Sequence, residues 1–361
     1  MGDSRVSENL VIRSHKGPYS VVFADNLLDD SQRLLSGQPH FLVDANVARL
    51  YGGRLRSVLD HPHSLVIAAT EENKSIERII PVIERLVANK VRRDHILVAV
   101  GGGIIQDITC FIASTLMRGL TWKFVPTTLL AQADSCIGSK SSINLGATKN
   151  ILGTFNPPNE ILVCSAFLDT LEDKDIHSGI GEILKVHAID GTAAFDRLAA
   201  DYGALLNSRA VLLGYVRNAL LIKQQFIEID EFDKGVRNIF NYGHSFGHAI
   251  ESATDFGVPH GIAVTMGMDM ANRIAALREL LPEAHYRRMH PVLRKNYSAF
   301  ADTPIQADAM LSALMKDKKN TTSKLVLILP LGEEAKIQRI EITPDDAFRT
   351  QCQLFLDEMR A

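Results

Sequence analysis

The sequence has few of the features that mark secreted, membrane or nucleic-acid-binding proteins. Its four cysteines, Cys110, Cys136, Cys164 and Cys352, are widely spaced and form no C-x-x-C pair. This spacing argues against a disulfide scaffold and favours buried free thiols in a reducing compartment. No run approaches the roughly 18 apolar residues of a membrane span, and the net charge of −3 gives no general nucleic-acid surface. The N-terminus lacks the apolar segment of a signal peptide, so we expect a cytoplasmic protein.

What the chain does have is an ordinary globular composition, 46% hydrophobic and 22% charged, and enough length for two domains. In residues 1–170 short β-rich runs alternate with helical patterns, and residues 75–91 repeat Ile and Leu at helical spacing. Strand, helix and strand in that order predict a parallel sheet with helices on its faces. The predicted strands are Tyr19–Phe23, His40–Val43, Ser64–Ile67, His95–Val100 and Trp122–Val125.

The pattern changes near residue 170. Long helical stretches then dominate, at residues 208–226, 261–277 and 308–315, and a late pair of apolar runs, residues 324–329 and 337–342, predicts a β-hairpin. We therefore expect an α/β, Rossmann-like domain with a parallel sheet in residues 1–170, and a mainly α-helical domain in residues 171–361.

Good metal ligands are concentrated in the second domain. Glu182, His244 and His260, with His248 as a fourth candidate, lie in apolar sequence beside a set of cations: Lys185, Lys223 and Arg237. The two histidines of residues 241–251, N-Y-G-H-S-F-G-H-A-I-E, are four residues apart and share one face of a helix. A zinc protease would carry Glu after the first histidine, where this chain has Ser245. The pattern indicates a metal or acid–base site of another kind.

A triple-glycine turn follows a predicted strand in the first domain. In H-I-L-V-A-V-G-G-G-I-I-Q-D, residues 95–107, glycines let the backbone approach a pyrophosphate, and the following helix offers free N–H groups. The dinucleotide pattern is incomplete, because Gln106 stands at its third glycine position. The turn alone leaves nucleotide binding and a merely tight connection equally open.

A second polar segment spans residues 125–150. Its Lys140 and Lys149 lie in Gly-, Ser- and Asn-rich sequence, which suits phosphate or carboxylate binding. A solvated loop is the alternative.

Taken in order, these motifs resemble the sugar phosphate cyclases of the dehydroquinate synthase family, from about residue 40 to about residue 330. The matching motifs are GGG-x-x-x-D at 101–107, MRG at 117–119, PTTLLAQ-x-D at 126–134, G-x-K at 138–140, KN at 149–150, E-x-x-K at 182–185, the block at 241–251, HG at 260–261 and DKK at 317–319.

The resemblance implies a role for each group of residues. The metal ligands, usually to zinc with cobalt as a substitute, match Glu182, His244 and His260. The positions around NAD match Asp44, Asn46, Glu71, Lys74, Gly101, Gly102, Gly103, Asp107, Thr127, Thr128, Lys149, Phe167 and Thr170. The catalytic and substrate positions match Asp134, Lys140, Asn150, Lys185, Lys223, Arg237, Asn241, His248 and Lys318, together with Arg118, which in the family reaches a phosphate across a homodimer interface.

The implied reaction is redox-neutral. In the family, NAD takes a hydride and returns it, phosphate is eliminated in between, and an aldol step closes a carbocycle. The expected substrate is 3-deoxy-arabino-heptulosonate 7-phosphate, and His248 would manage protons. We expect a small-molecule enzyme with no nucleic-acid or membrane partner.

Some positions depart from the family pattern and leave other substrates open. The family usually has Gly at position 106 and G-G-K-T-G where this chain has G-S-K-S-S, residues 138–142. It also tends to have Ala at position 181, where this chain has glycine. Asn241 favours the dehydroquinate type, whereas a specialised cyclase of valiolone or scyllo-inosose type, or a metal-dependent polyol dehydrogenase, are the alternatives.

Overall fold

The computed structural model describes residues 9–146, 148–316, 320 and 324–360, and the chain divides into two compact units. The first takes the residues up to Leu171 together with Lys223–Phe232, and the second takes Glu172–Ile222 and the residues from Asp233 onward.

The first unit is built on a seven-stranded sheet. Its strands are β1 (Leu10–Ile12), β2 (Tyr19–Phe23), β3 (Pro39–Asp44), β4 (Ser64–Ile67), β5 (Ile96–Gly101), β6 (Thr121–Pro126) and β9 (Glu160–Val163), while β7 (Lys140–Leu145) and β8 (Thr148–Phe155) form a separate antiparallel hairpin. The sheet order is β1-β2-β9-β6-β5-β3-β4, and every neighbouring pair is parallel except β1 with β2.

Helices connect the parallel strands. They are α1 (Ala45–Tyr51), α2 (Arg56–Leu59), α3 (Ile76–Ala88) and α4 (Gly103–Thr115). All six residues of β3 and five of the six in β5 are buried. Such continuous burial is typical of parallel strands with both faces covered, and it explains why these strands show unbroken apolar runs.

The second unit is mainly helical. Its helices are α5 (Asp173–Asp190), α6 (Thr192–Asn207), α7 (Arg209–Ile229, whose last residues belong to the first unit), α8 (His244–Ala253), α9 (His260–Leu277), α10 (Glu283–Tyr297), α11 (Ala307–Met315) and α12 (Asp346–Arg360), and its hairpin joins β10 (Leu325–Leu331) to β11 (Lys336–Ile342). Most of α9 is buried along its length, which makes it the central helix of this unit.

The predicted fold class is confirmed: a parallel α/β region precedes a mainly helical one. The strands and helices expected from the apolar patterns form within a few residues of the predicted bounds. The polar segment around Lys140, by contrast, forms the β7–β8 hairpin instead of a loop. None of the described helices is long and apolar enough to span a lipid bilayer.

Candidate functional site

Four ionisable side chains of the second unit meet at one place. Glu182 lies on α5, His244 and His248 lie on successive turns of α8, and His260 begins α9. Glu182 Oε1 lies 3.9 Å from His244 Nε2 and 3.5 Å from His260 Nε2. One ring nitrogen from each histidine lies within 4.8 Å of the others. The structure thus brings together the three predicted metal ligands and the fourth candidate.

Close helix packing produces this convergence. A methyl group added at Gly181 on α5 would overlap the main-chain oxygen of Gly261 on α9, and one added at Gly261 would overlap that of Ser178. On the other side, Gly243 precedes α8 with a φ of +78°, and a Cβ there would lie 2.6 Å from the Val264 carbonyl oxygen. Because only glycine fits at these contacts, α5, α8 and α9 approach closely enough for their side chains to share one ion.

The ring orientations suit metal binding. His260 Nδ1 lies 3.2 Å from Glu251 Oε1, and His244 Nδ1 lies 3.3 Å from the carbonyl oxygen of Tyr242. A proton held on Nδ1 by an acceptor leaves Nε2 as the ligand atom, as in many metalloproteins. In both rings it is Nε2 that faces Glu182.

Burial and charge tune these groups. Burial lowers the pKa of His244 well below its ordinary value, and the Lys185 ammonium adds to the effect. Burial also opposes protonation of His260, but the hydrogen bond with Glu251 and the charge of Glu182 outweigh it and raise that pKa. A neutral imidazole is the ligand form, so His244 is already in the state that a metal requires.

The donor set fits a metal ion. Zinc sites commonly combine a carboxylate with neutral imidazoles, and cobalt accepts the same donors. In such sites the second ring nitrogen of each imidazole is usually hydrogen-bonded to a carboxylate or a carbonyl oxygen, as it is here. Lys185 forms a buried ion pair with Glu182 one helical turn away.

Two further predicted residues precede α8. Arg237 and Asn241 lie in a short 3₁₀ helix, Val236–Asn241. Arg237 is buried, and the Asn241 side-chain amide donates to the carbonyl oxygen of Asn238 at 3.0 Å.

The glycine turn of the first unit leads from β5 into α4. A Cβ at Gly101 would collide with the side chain of Ile105, and one at Gly102 would lie 3.1 Å from Thr128 Cγ2, whereas Gly103 has open space around it. Thr127 N donates to the Gly101 carbonyl oxygen at 3.0 Å. Among the residues that the structure describes, no side chain caps the N-terminus of this 13-residue helix. The bare turn and the uncapped amides fit the pyrophosphate of a dinucleotide.

A polar network lies beside this turn. The ammonium of the buried Lys74 donates to Asp107 Oδ2 at 3.1 Å and to Asn150 Oδ1 at 2.8 Å. Glu71 Oε1 accepts from Asn144 Nδ2 at 2.8 Å. Glu71, Lys74, Asp107 and Asn150 were predicted from the sequence, and the structure joins them through hydrogen bonds.

The remaining predicted nucleotide positions lie on several elements of the first unit. Asp44 ends β3, accepts from Asn46 N at 2.9 Å and thereby caps α1, and burial raises the pKa of its carboxyl group. Thr170 shares a 2.9 Å hydrogen bond with the Tyr51 hydroxyl. The Phe167 ring is buried in the core, with its centroid 5.0 Å from that of Tyr51. Lys149 lies on β8.

The cations of the first unit that were predicted to bind substrate are Lys223, Lys140 and Arg118. Lys223 Nζ lies 2.7 Å from Asp134 Oδ1 and donates to the Asp134 carbonyl oxygen at 2.6 Å. Lys140 is exposed at the start of β7. Arg118 is also exposed, in a turn whose residues Met117, Arg118 and Gly119 all have positive φ. Lys318 lies outside the described residues.

The sequence predictions missed two contributors. Glu251 belongs to the block at 241–251, and its carboxylate, one turn beyond His248, was a readable signal for a partner to a ligand histidine. Asn144, which donates to Glu71 and accepts from Asn150 N at 2.8 Å, had no signal beyond its polar surroundings.

Comparisons with known proteins identify the family of the chain. The sequence profile described as 3-dehydroquinate synthase N-terminal matches residues 64–178, and the profile described as 3-dehydroquinate synthase C-terminal matches residues 179–320. The 3-dehydroquinate synthase of Alkaliphilus oremlandii is 33% identical over 88% of this chain and 90% of its own length.

Solved structures share the fold. The 2-epi-5-epi-valiolone synthase from Streptomyces hygroscopicus subsp. jinggangensis, solved with NAD+ and Zn2+ bound, superposes with a TM-score of 0.81 at 28% identity, covering 99% of both chains. A 2-deoxy-scyllo-inosose synthase, complexed with carbaglucose-6-phosphate, NAD+ and Co2+, gives a TM-score of 0.81 at 22% identity, covering 97% of this chain and 100% of its own. With both halves matched in order and the relatives aligned over nearly their full length, this chain belongs to the 3-dehydroquinate synthase family.

Proposed function

We propose that this protein is an NAD- and metal-dependent sugar phosphate cyclase of the dehydroquinate synthase type. Its substrate would be 3-deoxy-arabino-heptulosonate 7-phosphate, which it would convert to a carbocycle with release of phosphate. The observation that carries the proposal is the convergence of Glu182, His244 and His260, with Glu251 behind His260, in a chain of this family.

The second unit would hold the metal, with zinc as the first choice and cobalt as a substitute. When bound, the metal supplies a Lewis acid and NAD a hydride acceptor that is regenerated in the same cycle. Lys185 and Arg237 are buried cations, and a buried cation discriminates strongly for an anionic group. The exposed imidazole of His248 would exchange protons with substrate oxygens, since histidine is the side chain that most often acts as a general acid or base.

The first unit would hold NAD along Gly101–Gly103 and Asp107, with Asp44 near a ribose. Lys223, fixed by Asp134, would bind an anionic group of the substrate, and Lys140, Asn150 and Asn241 would contact its polar groups. Lys140, Lys185, Lys223 and Arg237 together suit a substrate that has both a phosphate and a carboxylate.

We also propose a cytoplasmic homodimer. All four cysteines are buried free thiols, as expected in a reducing compartment. The exposed Arg118 would reach the partner subunit's phosphate site. Sedimentation of the wild type and of Arg118→Ala, combined with complementation of activity in mixed dimers, tests this role.

The metal assignment is tested by His244→Ala. We expect loss of bound zinc and of phosphate release together, whereas His285→Ala on α10 should retain both. Full activity in a metal-free preparation would end the assignment.

Three sugar phosphates distinguish the substrate. Purified protein with NAD and zinc is offered 3-deoxy-arabino-heptulosonate 7-phosphate, sedoheptulose 7-phosphate and glucose 6-phosphate, and phosphate release is measured. We expect the first to be preferred because it alone has a carboxylate. The similarity to the valiolone synthase over 99% of the chain favours a second candidate, a specialised cyclase, and preference for either of the other sugars would select it.

A polyol dehydrogenase would give a different result in the same assay. It would accumulate NADH in proportion to product, whereas a cyclase regenerates NAD and releases phosphate without net reduction.

A further inference from the structure

The side chain of Gln106 both donates a hydrogen bond to Ser135 and accepts one from it, and the proposed chemistry does not explain this pair of bonds. It lies in the first turn of α4, with its main-chain N–H bonded to Gly102, and its side chain is only 7% exposed. Its Nε2 donates to the Ser135 carbonyl oxygen at 2.6 Å, and Ser135 Oγ donates to its Oε1 at 2.8 Å. A carbonyl can only accept, so the amide orientation is determined by this pair of bonds.

Ser135 ends an unusual segment. Residues Ala131–Ser135 form a π-helical turn, closed by a hydrogen bond from Cys136 N to the Ala131 carbonyl oxygen at 3.0 Å. The side chain of Gln132 anchors this turn to the carbonyl oxygens of Pro126 and Cys164. Gln106 therefore holds the turn at its other end, where helix carbonyls lack partners within the helix.

Asp134 lies in this turn and holds Lys223. The lysine ammonium contacts both the Asp134 carboxylate, at 2.7 Å, and the Asp134 main-chain oxygen, at 2.6 Å. Because one of these contacts is to the backbone, the position of the ammonium depends on the conformation of the turn as well as on the Asp134 rotamer.

We propose that Gln106 is a positioning residue that holds the π-helical turn and thereby places Asp134 and the Lys223 ammonium for the sugar phosphate. The role of Lys223 in this statement rests on the proposed function. Without the amide, we expect the turn to relax towards α-type bonding and to move Asp134 with it. The same helix that begins at the glycine turn thus determines where a substrate cation lies.

Three variants test the contact. Gln106→Ala removes both hydrogen bonds, Ser135→Ala removes one, and the double variant measures their coupling. Thr115→Ala is the matched control, since Thr115 lies on the same helix and its hydroxyl donates to the carbonyl oxygens of Phe111 and Ile112 in that helix. Phosphate release gives kcat and KM for the sugar phosphate, and calorimetry gives the Kd for NAD+.

We expect Gln106→Ala to raise KM for the sugar phosphate by about tenfold, with the Kd for NAD+ within about twofold of wild type. The double variant should be little worse than Gln106→Ala. Unchanged KM, a parallel loss of NAD+ affinity, or strictly additive effects of the two single variants would each overturn the proposal.

Gln106→Glu separates positioning from packing. The introduced carboxylate repels the Ser135 carbonyl oxygen, but when protonated it donates to that oxygen and accepts from Ser135 Oγ, as the amide does. Activity relative to wild type should therefore recover as the pH falls. Wild-type activity of Gln106→Glu at every pH would mean that only the shape of the side chain matters, and it would overturn the proposal.

Hydrogen exchange distinguishes failure of this proposal from failure of the proposed function. If the wild type releases phosphate from none of the three sugar phosphates, the proposed function fails. The contact between Gln106 and Ser135 is still tested by hydrogen exchange. Faster hydrogen exchange at the Cys136 amide in Gln106→Ala than in Thr115→Ala would support the proposal that Gln106 holds the π-helical turn. Equal exchange in the two variants would overturn it.

Discussion

Glu251 holds the Nδ1 edge of His260 and leaves its Nε2 edge to face Glu182. A carboxylate behind a ligand histidine fixes the tautomer and increases the basicity of the ring. We expect Glu251→Gln to weaken zinc binding by about 10- to 100-fold in competition with a chelator. Glu283→Gln, which changes a partly buried carboxylate of the same unit that pairs with Arg287, should leave zinc affinity unchanged. Equal zinc affinity in both variants would remove Glu251 from the site.

Asp44 is the residue that should select the nucleotide. Asp44 ends β3, and its carboxylate caps α1. An acidic group at the carboxyl end of this strand accepts hydrogen bonds from the ribose hydroxyls of NAD and repels the 2′-phosphate of NADP. We expect NAD to bind at least about tenfold more tightly than NADP by calorimetry, and Asp44→Asn to narrow that ratio. The variant also retains a side-chain oxygen for the cap. Equal affinity of the wild type for both nucleotides would contradict the assignment.

At the scale of elements, helix contacts built on glycine determine where the ligands meet. Gly261 faces Ser178 with no room for a methyl group, whereas Gly203 within α6 has open space around it. We expect Gly261→Ala to lower the free energy of unfolding by roughly 2 kcal/mol or more and to reduce zinc binding, because α5 and α9 must separate. Gly203→Ala should raise stability by about 0.5–1 kcal/mol, since alanine favours the helix. Chemical denaturation measures both, and similar effects at the two glycines would refute the packing argument.

Local patterns predicted the buried elements well. Strand β5 and helix α9 have apolar runs whose period and length specify them, and the histidines at positions 244 and 248 indicated their shared helix face. The β7–β8 hairpin was missed because its residues are polar and β8 is largely exposed. The contact between Gln106 and Ser135 was not predictable either, since it joins residues 29 positions apart and depends on the π-helical turn between them.

At the scale of the whole molecule, the buried polar groups of the sheet lie at both ends of its strands. Asp44 and the glycine turn are at the carboxyl ends, where ligands bind in open α/β sheets. At the amino ends four histidines gather: the His40 ring stacks on that of His63 with centroids 4.4 Å apart, and His40 Nε2 lies 2.9 Å from His95 Nδ1, with His61 beside His63. This second cluster should affect stability instead of chemistry.

The histidine cluster predicts a loss of stability in acid. Burial, together with the neighbouring His63, His95 and His61, lowers the pKa of His40 from 6.5 to about 4. The His40 imidazole is protonated near pH 6.5 in the unfolded chain but only near pH 4 in the native state. Between these two pH values the unfolded state therefore binds more protons than the native state. The contribution of His40 to the free energy of unfolding is therefore fully present above pH 6.5. It falls by about 3 kcal/mol as the pH decreases towards 4.

Urea denaturation between pH 7 and pH 4 measures this effect. His40→Gln should flatten the decline in the free energy of unfolding, while His285, whose pKa burial lowers to about 4, would still contribute to it. Phe41→Leu, a neighbouring core substitution without a titrating group, should lower stability at every pH and leave the slope unchanged. A His40→Gln slope equal to that of the wild type would show that this proton is taken up without cost in the native state.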